Sequence, residues 1–231
     1  MASPLILAVD LISALVAASL SHSTLRPCRE SKISYLLGIP AGFGLISLAF
    51  VANALESFGG GLMLDAIFLL MQAYGVLFIA LTYARRTRLK FVGESVSIEL
   101  AIPGIVTLVV VGYALGFEKL TSLNAAPLSM NLSLRAVMML ATVYLVYETA
   151  RNWSLTQKAG EGFVTIGYGL LAIEQFGFLL QAGQFGDVGL LLAYEGRIAG
   201  LFVLLAVTHL AIKKTDPSMI LRRLGLTALA H

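Results

Sequence analysis

The sequence predicts an all-α membrane protein with a single domain of seven transmembrane helices. Of its 231 residues, 58% are hydrophobic and only 13% are charged, whereas soluble domains carry about 25% charged residues. Seven apolar runs are each long enough to cross a hydrocarbon core of about 30 Å. Lys and Arg are concentrated in alternate connections between these runs. These three observations favour a helical bundle, and the alternating pattern of a membrane β-barrel is absent.

The seven predicted spans, numbered one to seven in chain order, together account for one domain over residues 1–231. Backbone amides in lipid must pair within their own segment, so each span is predicted to be a helix. The first run lacks the basic start of a signal peptide and continues to Ser23, so we expect it to be retained. The spans are about 3–23, 35–56, 62–84, 96–116, 128–149, 163–183 and 188–212, followed by a short amphipathic cytoplasmic tail over 216–231.

The distribution of Lys and Arg predicts the orientation. Thirteen of these residues lie in the first, third and fifth connections and in the C-terminal tail, against Lys119 alone on the other side. Cytoplasmic loops carry such an excess. The N-terminus is therefore predicted outside and the C-terminus in the cytoplasm of a cell membrane. The net charge of +3 follows from this topology, and no basic stripe indicates binding of nucleic acid.

Polar residues interrupt the first three spans at few points. Asp10 lies near the outer end of span one, which Pro27 is expected to terminate. Span two opens with small residues around Gly42 that permit close helix contacts. Span three carries Asp65 near its outer end and Gln72 near its centre.

The remaining spans divide into one apolar helix and three that carry charges. Span four is the least polar, around Pro103. Span five has Arg135 in its outer third, span six has Glu174 near its centre, and span seven has Glu195 and Arg197. A lone charge at the bilayer centre costs at least about 2.5–3.5 kcal/mol. We therefore expect these side chains to face the interior and pair.

The depths of these charges suggest specific partners. Glu174 and Arg197 both lie about ten residues from the outer ends of adjacent spans, and Glu195 matches Arg135 in depth. Two interpretations stay open: a polar pocket for a ligand, ion or proton that opens outward, and a salt-bridge network that only fixes helix packing. The candidate residues are Asp10, Asp65, Gln72, Arg135, Glu174, Glu195 and Arg197, with Glu56 at the outer opening.

A second candidate site contains two histidines. His22 and His209 lie toward the cytoplasmic side of spans that run in the same direction. Two facing imidazoles can hold a haem iron. The alternative is one interfacial histidine and one that bonds a nearby hydroxyl such as Thr208. No supporting motif accompanies the pair, so we expect no cofactor and no metal.

An internal repeat is a further possibility. Residues 42–48 (Gly-Phe-Gly-Leu-Ile-Ser-Leu) resemble residues 167–173 (Gly-Tyr-Gly-Leu-Leu-Ala-Ile), 125 positions later. The spacing implies that spans one to three recur as spans five to seven, with span four as the connector. Parallel repeats of this kind occur in transporters. The match is short and rich in glycine, so chance similarity is the alternative.

The topology resembles that of three classes: microbial rhodopsins, sugar transporters with 3+1+3 repeats, and the seven-helix input regions of sensor kinases. No diagnostic motif selects one, and span seven lacks the mid-membrane lysine that retinal requires. No catalytic motif is present, so we expect a non-enzymatic protein.

Three functions therefore remain. The first is a sensor that binds a small ligand in an outer polar pocket and signals to a cytoplasmic partner. The second is an accessory subunit of a larger membrane complex, such as a respiratory complex, and the third is a small-solute transporter. The expected partners are the lipid bilayer and proteins in the membrane or at its cytoplasmic face.

Overall fold

The described part of the chain consists of six long helices. The structure is a computed structural model, and it describes residues 4–30, 34–56, 62–88, 128–182 and 185–213. The predicted fourth span, Lys119 and the C-terminal tail lie outside these residues. The helices are α1 (Pro4–Glu30), α2 (Gly38–Glu56), α3 (Leu62–Arg88), α4 (Leu128–Thr156), α5 (Ala159–Ala182) and α6 (Gly186–Lys213). A 3-10 turn at Ser34–Leu37 precedes α2.

All six helices are long and apolar enough to cross a membrane. Large apolar side chains cover their outward faces as well as the core, for example Leu15, Leu140 and Leu191. A soluble bundle would place polar side chains on those faces. The described residues therefore confirm a helical, multi-pass integral membrane protein and six of the predicted spans.

The prediction that Pro27 ends the first helix is wrong. The helix α1 continues to Glu30, with Pro27 buried inside its last turns. A proline lacks the N–H that would form an internal helical hydrogen bond, and α1 nevertheless continues for three residues beyond Pro27. Arg26 Nε donates to Glu30 Oε1 at 2.8 Å, one turn further on, an arrangement that supports an exposed helix end.

The helices form a ring in chain order. Each helix packs against the next described helix along the chain, and α6 packs against α1 to close the ring. The apolar core inside this ring includes Leu20, Phe43, Leu69, Met138 and Leu201, all buried.

The two ends of the ring are distinguished by a cavity. Asn53 at the end of α2, Asp65 at the start of α3 and Asn131 at the start of α4 line one cavity, so these termini share one end of the bundle, which we call the cavity end. Tyr83 of α3 and Asn152 of α4 line a much smaller cavity that marks the opposite end. Because α3 and α4 both begin at the cavity end, they run in the same direction.

Paired glycines bring neighbouring helices into backbone contact. A Cβ added at Gly42 of α2 would lie 2.5 Å from the carbonyl oxygen of Gly75 in α3. A Cβ added at Gly200 of α6 would lie 2.9 Å from the carbonyl oxygen of Gly167 in α5. Real Cβ atoms do not fit at these distances, so glycine is what lets each pair of helices approach this closely.

Candidate functional site

Arg197 is the centre of a buried charge network. Its side chain, from the middle of α6, has no exposed surface. Its Nη1 donates to Asp10 Oδ1 of α1 at 2.7 Å, and its Nε donates to Glu174 Oε1 of α5 at 2.8 Å. A charged side chain is tolerated in an apolar interior when it is paired and hydrogen-bonded, and this one ties three helices together.

Amide side chains complete the bonding of both carboxylates. Asn53 of α2 donates from Nδ2 to Asp10 Oδ2 at 2.6 Å. Gln72 of α3 donates from Nε2 to Glu174 Oε1 at 2.9 Å. Each carboxylate thus accepts from one guanidinium and one amide, and bonds to charged groups contribute about 1.5–3 kcal/mol each. The network consequently includes side chains from five of the six described helices.

Arg135 of α4 is bonded differently. It is only 4% exposed, yet no carboxylate of the described residues forms an ion pair with it. Its Nη1 donates instead to two amide oxygens, Gln72 Oε1 at 3.2 Å and Gln175 Oε1 at 3.3 Å. Its guanidinium carbon lies 3.8 Å from the centre of the Phe178 ring, a cation–π contact worth about 2 kcal/mol or more when desolvated.

Two buried N–H groups of these arginines have no acceptor within the described part of the chain. They are Arg135 Nε and Arg197 Nη2, and both are buried. A buried donor left unbonded costs about 1–3 kcal/mol, and more when it belongs to a charged group. Such groups in a folded protein call for a specific explanation, such as a bound ligand or water.

A polar cavity of about 340 Å³ borders both arginines at the cavity end of the bundle. Its volume lies at the lower end of the range for small-molecule sites. The wall combines two cations, one acid, three amides and three aromatic rings. The lining residues are Asn53, Asp65, Phe68, Asn131, Arg135, Phe178, Gln181, Tyr194 and Arg197.

The structure thus places six of the predicted site residues together. Asp10, Gln72, Glu174 and Arg197 form the bonded network, Arg135 joins it through Gln72, and Asp65 lines the cavity above.

The predicted position of Glu195 is wrong. Its side chain is exposed on the outside of the bundle, not paired with Arg135. A helix turns about 100° per residue, so residues two positions apart point about 200° away from each other. With Arg197 directed inward, Glu195 has to face outward.

The two histidines do not face each other inside the bundle. His22 of α1 and His209 of α6 both have exposed side chains. The neighbouring Thr208 hydroxyl donates to Leu204 O at 2.8 Å within its own helix. The described helices therefore offer no internal pocket between these imidazoles for a haem. Among the described residues, no group of three or more His, Cys, Asp and Glu side chains could hold a metal ion.

Sequence reasoning missed several residues of the site. Asn53 and Gln175 are single amides within apolar runs, a signal that could have found them. Phe178 and Tyr194 carry no such signal, because aromatic residues are common throughout membrane helices. Their role depends on the positions of the arginines beside them.

A smaller group of buried acids lies at the opposite end. Glu161 Oε2 accepts from Thr156 Oγ1 at 2.7 Å, while its Oε1 has no partner in the described segments. Glu148 has no exposed surface, and neither of its oxygens is bonded within the described segments. The small cavity lined by Glu161 and Asn152 has about 10 Å³, close to the space that one water needs.

Comparison with known proteins identifies no family, because no family model, no curated protein and no solved structure matches this chain.

Proposed function

We propose that this protein is a non-enzymatic, receptor-like membrane module that binds a small polar ligand in the cavity above the arginine network. The cavity itself carries the proposal, because a bundle packed solid at this end would leave no place for a ligand. A concave site with a few convergent polar groups among aromatic walls is the usual form of a small-molecule site.

The distribution of charge supports an outward-facing cavity. Arg151 and Lys158 are exposed at the end opposite the cavity, and the positive-inside rule assigns that end to the cytoplasm. A ligand would then enter from outside the cell and reach Arg135 and Arg197 within the outer half of the membrane.

The bonding of Arg197 supports a route by which binding alters the bundle. One guanidinium holds Asp10 of α1 and Glu174 of α5 at the same time, and it also lines the cavity. An anionic ligand beside this group would share its positive charge with those carboxylates and so weaken both ion pairs. The balance of contacts among α1, α5 and α6 would then depend on occupancy, and a cytoplasmic partner could detect the shift at the opposite end.

Thiol labelling tests the orientation and the access together. Cys28 is the only cysteine, so a Cys28→Ser background leaves one engineered thiol at a time. Asn131→Cys at the cavity and Asn152→Cys at the opposite end of the same helix are the matched pair. A membrane-impermeant thiol reagent added to intact cells should modify the first and should modify the second only after permeabilisation. The reverse pattern, or no labelling of Asn131→Cys, would refute an outward-facing cavity.

A transporter built on an internal repeat is the second candidate, and the helix ranges favour it. Adding 125 to the α1 range 4–30 gives 129–155, and α4 covers Leu128–Thr156. The range 34–56 gives 159–181, against Ala159–Ala182 of α5, and 62–88 gives 187–213, against Gly186–Lys213 of α6. When the 3-10 turn at Ser34–Leu37 is counted with α2, the two successive triplets of helices have similar lengths and spacings.

The same offset relates contacts between the helices. Gly42 and Gly75 become Gly167 and Gly200, and both pairs are close backbone contacts. The side chain nearest to each pair also corresponds: a Cβ at Gly42 would meet Ile79, and one at Gly167 would meet Leu204. Short sequence similarity could arise by chance, whereas equivalent three-dimensional contacts are harder to obtain that way.

The offset also relates the polar contacts of the site. Asp10 corresponds to Arg135, and Arg197 corresponds to Gln72. The bond from Arg197 to Asp10 therefore has its counterpart in the bond from Arg135 to Gln72. Likewise, Asn53 donates to Asp10, and its counterpart Phe178 packs against Arg135. In a repeat of this kind the site would lie between the two halves, where substrates bind in repeat transporters.

Chain connectivity supports a seventh span in this arrangement. The helix α3 ends away from the cavity, and α4 begins at it. The connection over residues 89–127 joins these two ends and contains the apolar run 96–116. We therefore retain the seven-span, 3+1+3 organisation as part of this proposal.

Reconstitution distinguishes the two candidates. A transporter should move a bound radiolabelled ligand across the membrane of proteoliposomes, and the rate should fall when Gly42 or Gly167 is replaced by leucine. A receptor-like module should bind the ligand without accumulating it. Uptake equal to that of empty liposomes would exclude the transporter function, while ligand binding would remain possible.

A further inference from the structure

We infer that the ligand of this cavity is a small organic monocarboxylate whose carboxylate bonds Arg135 and Arg197. The inference rests on the proposed ligand-binding role of the cavity and specifies the chemistry that the cavity recognises.

The first argument comes from the free donors. Arg135 Nε and Arg197 Nη2 are buried N–H groups of the two cavity-lining arginines, and neither has an acceptor in the described segments. Both side chains are more than nine-tenths buried. A carboxylate offers two oxygens with about four acceptor sites, and because both arginines line the same cavity, a single carboxylate bound between them would accept from both. Neutral ligands with one carbonyl oxygen would meet these donors with weaker bonds.

The second argument concerns charge. Within bonding distance, Arg197 is compensated by Asp10 and Glu174, whereas Arg135 has only amide oxygens and aromatic rings. An uncompensated charge in an apolar interior is costly, since desolvation is offset only by a partner. Glu174 and Asp65 act on the charge of Arg135 from a distance, but neither forms an ion pair with it, and a ligand anion beside Arg135 would supply that direct partner.

The third argument limits the ligand to one carboxylate and a compact, partly apolar body. Asp65 lies in the same wall and would repel a second anionic group. Phe68, Phe178 and Tyr194 provide apolar surface beside the arginines, and the volume of about 340 Å³ suits a metabolite of modest size rather than a lipid.

Matched carboxylates and amides test the inference on the full chain in detergent or nanodiscs. The probes are propionate with propionamide, benzoate with benzamide, and alanine with alaninamide, each measured by thermal shift and calorimetry. Each amide has nearly the shape of its acid but lacks the anionic oxygen, so it also controls for partition into detergent. At least one carboxylate should bind about tenfold or more tightly than its amide, the ratio expected from a charge-assisted bond.

Variants of one helix locate the binding. Arg135→Gln should weaken carboxylate binding at least tenfold, while Arg151→Gln, an exposed arginine of the same helix, should leave it unchanged. Arg135→Lys retains the charge without the Nε–H, so it keeps the test informative if the glutamine variant does not fold, and it should weaken binding less.

Each outcome decides between the claims. Equal binding of acids and amides would overturn the carboxylate assignment. If the bulky Asn131→Trp in the cavity wall abolishes that binding, the cavity remains the binding site. Carboxylate binding that is insensitive to both Arg135 variants would also overturn the assignment. Absence of binding by every probe overturns the inference, and if Asn131→Cys is also unreactive, the proposed function fails with it.

Discussion

Replacing Arg197 is the sharpest test of the buried network. The Arg197→Gln variant leaves Asp10 and Glu174 inside the bundle without their shared cation. Two charge-assisted bonds of 2.7 and 2.8 Å are lost, at about 1.5–3 kcal/mol each. Breaking a buried ion pair from one side typically costs about 3–5 kcal/mol. We therefore expect destabilisation of about 3–5 kcal/mol, or a drop in Tm of about 6–20 °C on the scaling of chains with 150–250 residues.

The companion variants separate a lost bond from an uncompensated charge. Combining Arg197→Gln with Asp10→Asn and Glu174→Gln removes all three charges while keeping similar volumes. This triple variant should recover at least half of the lost stability, because neutral groups cost less to bury.

The assay follows unfolding in mixed micelles by circular dichroism, in parallel with thermal denaturation. Neutralising the exposed Glu195 with glutamine is the control and should change stability by less than about 0.5 kcal/mol. Two results would contradict the reasoning. One is a free energy of unfolding for Arg197→Gln within about 1 kcal/mol of that of the natural protein, and the other is a triple variant less stable than Arg197→Gln. In either case the network is not what holds these helices together.

Three further predictions concern packing, the second group of acids and the histidines. Gly42→Ala should destabilise the bundle by about 1–3 kcal/mol because the added methyl group meets α3. The control Gly160→Ala has open space around the methyl group and should be neutral or stabilising by up to about 1 kcal/mol. Equal effects of the two substitutions in chemical denaturation would contradict this prediction. Glu148→Gln should be at least as stable as the natural protein, since it removes a buried carboxylate that has no hydrogen-bond partner among the described residues. A lower Tm would indicate a partner. His22→Ala and His209→Ala should each change stability by under about 0.5 kcal/mol and leave the absorption spectrum unaltered, whereas loss of a Soret band would restore the haem hypothesis.

Composition and chain order predicted much of this fold. Lipid penalises unpaired backbone groups and charges, so the apolar runs had to be helices. The depth of Glu174 and Arg197 along adjacent spans followed from the rise per residue, and the structure joins them at 2.8 Å. Asp10 is a site candidate from the sequence, but its bond to Arg197 crosses 187 positions of the sequence and no local pattern indicates it.

The errors at Glu195 and the two histidines have a common physical origin in helix rotation. Lipid outside and protein inside are both apolar, so a membrane helix lacks the clear polar face that reveals orientation in soluble proteins. Glu195 and Arg197 are equally plausible interior residues by depth alone. The outward direction of His22 and His209 could not be obtained for the same reason.

The sequence alone predicted the membrane class, the approximate positions of the six described helices and which of them carry charges, because transfer into lipid depends on composition and length. The tertiary structure decided which of those charges meet. Close packing at contacts such as Gly42 with Gly75 sets the rotation of each helix, and a rotation of about 200° separates the buried Arg197 from the exposed Glu195. The cavity between Arg135 and Arg197 exists only as a consequence of that packing.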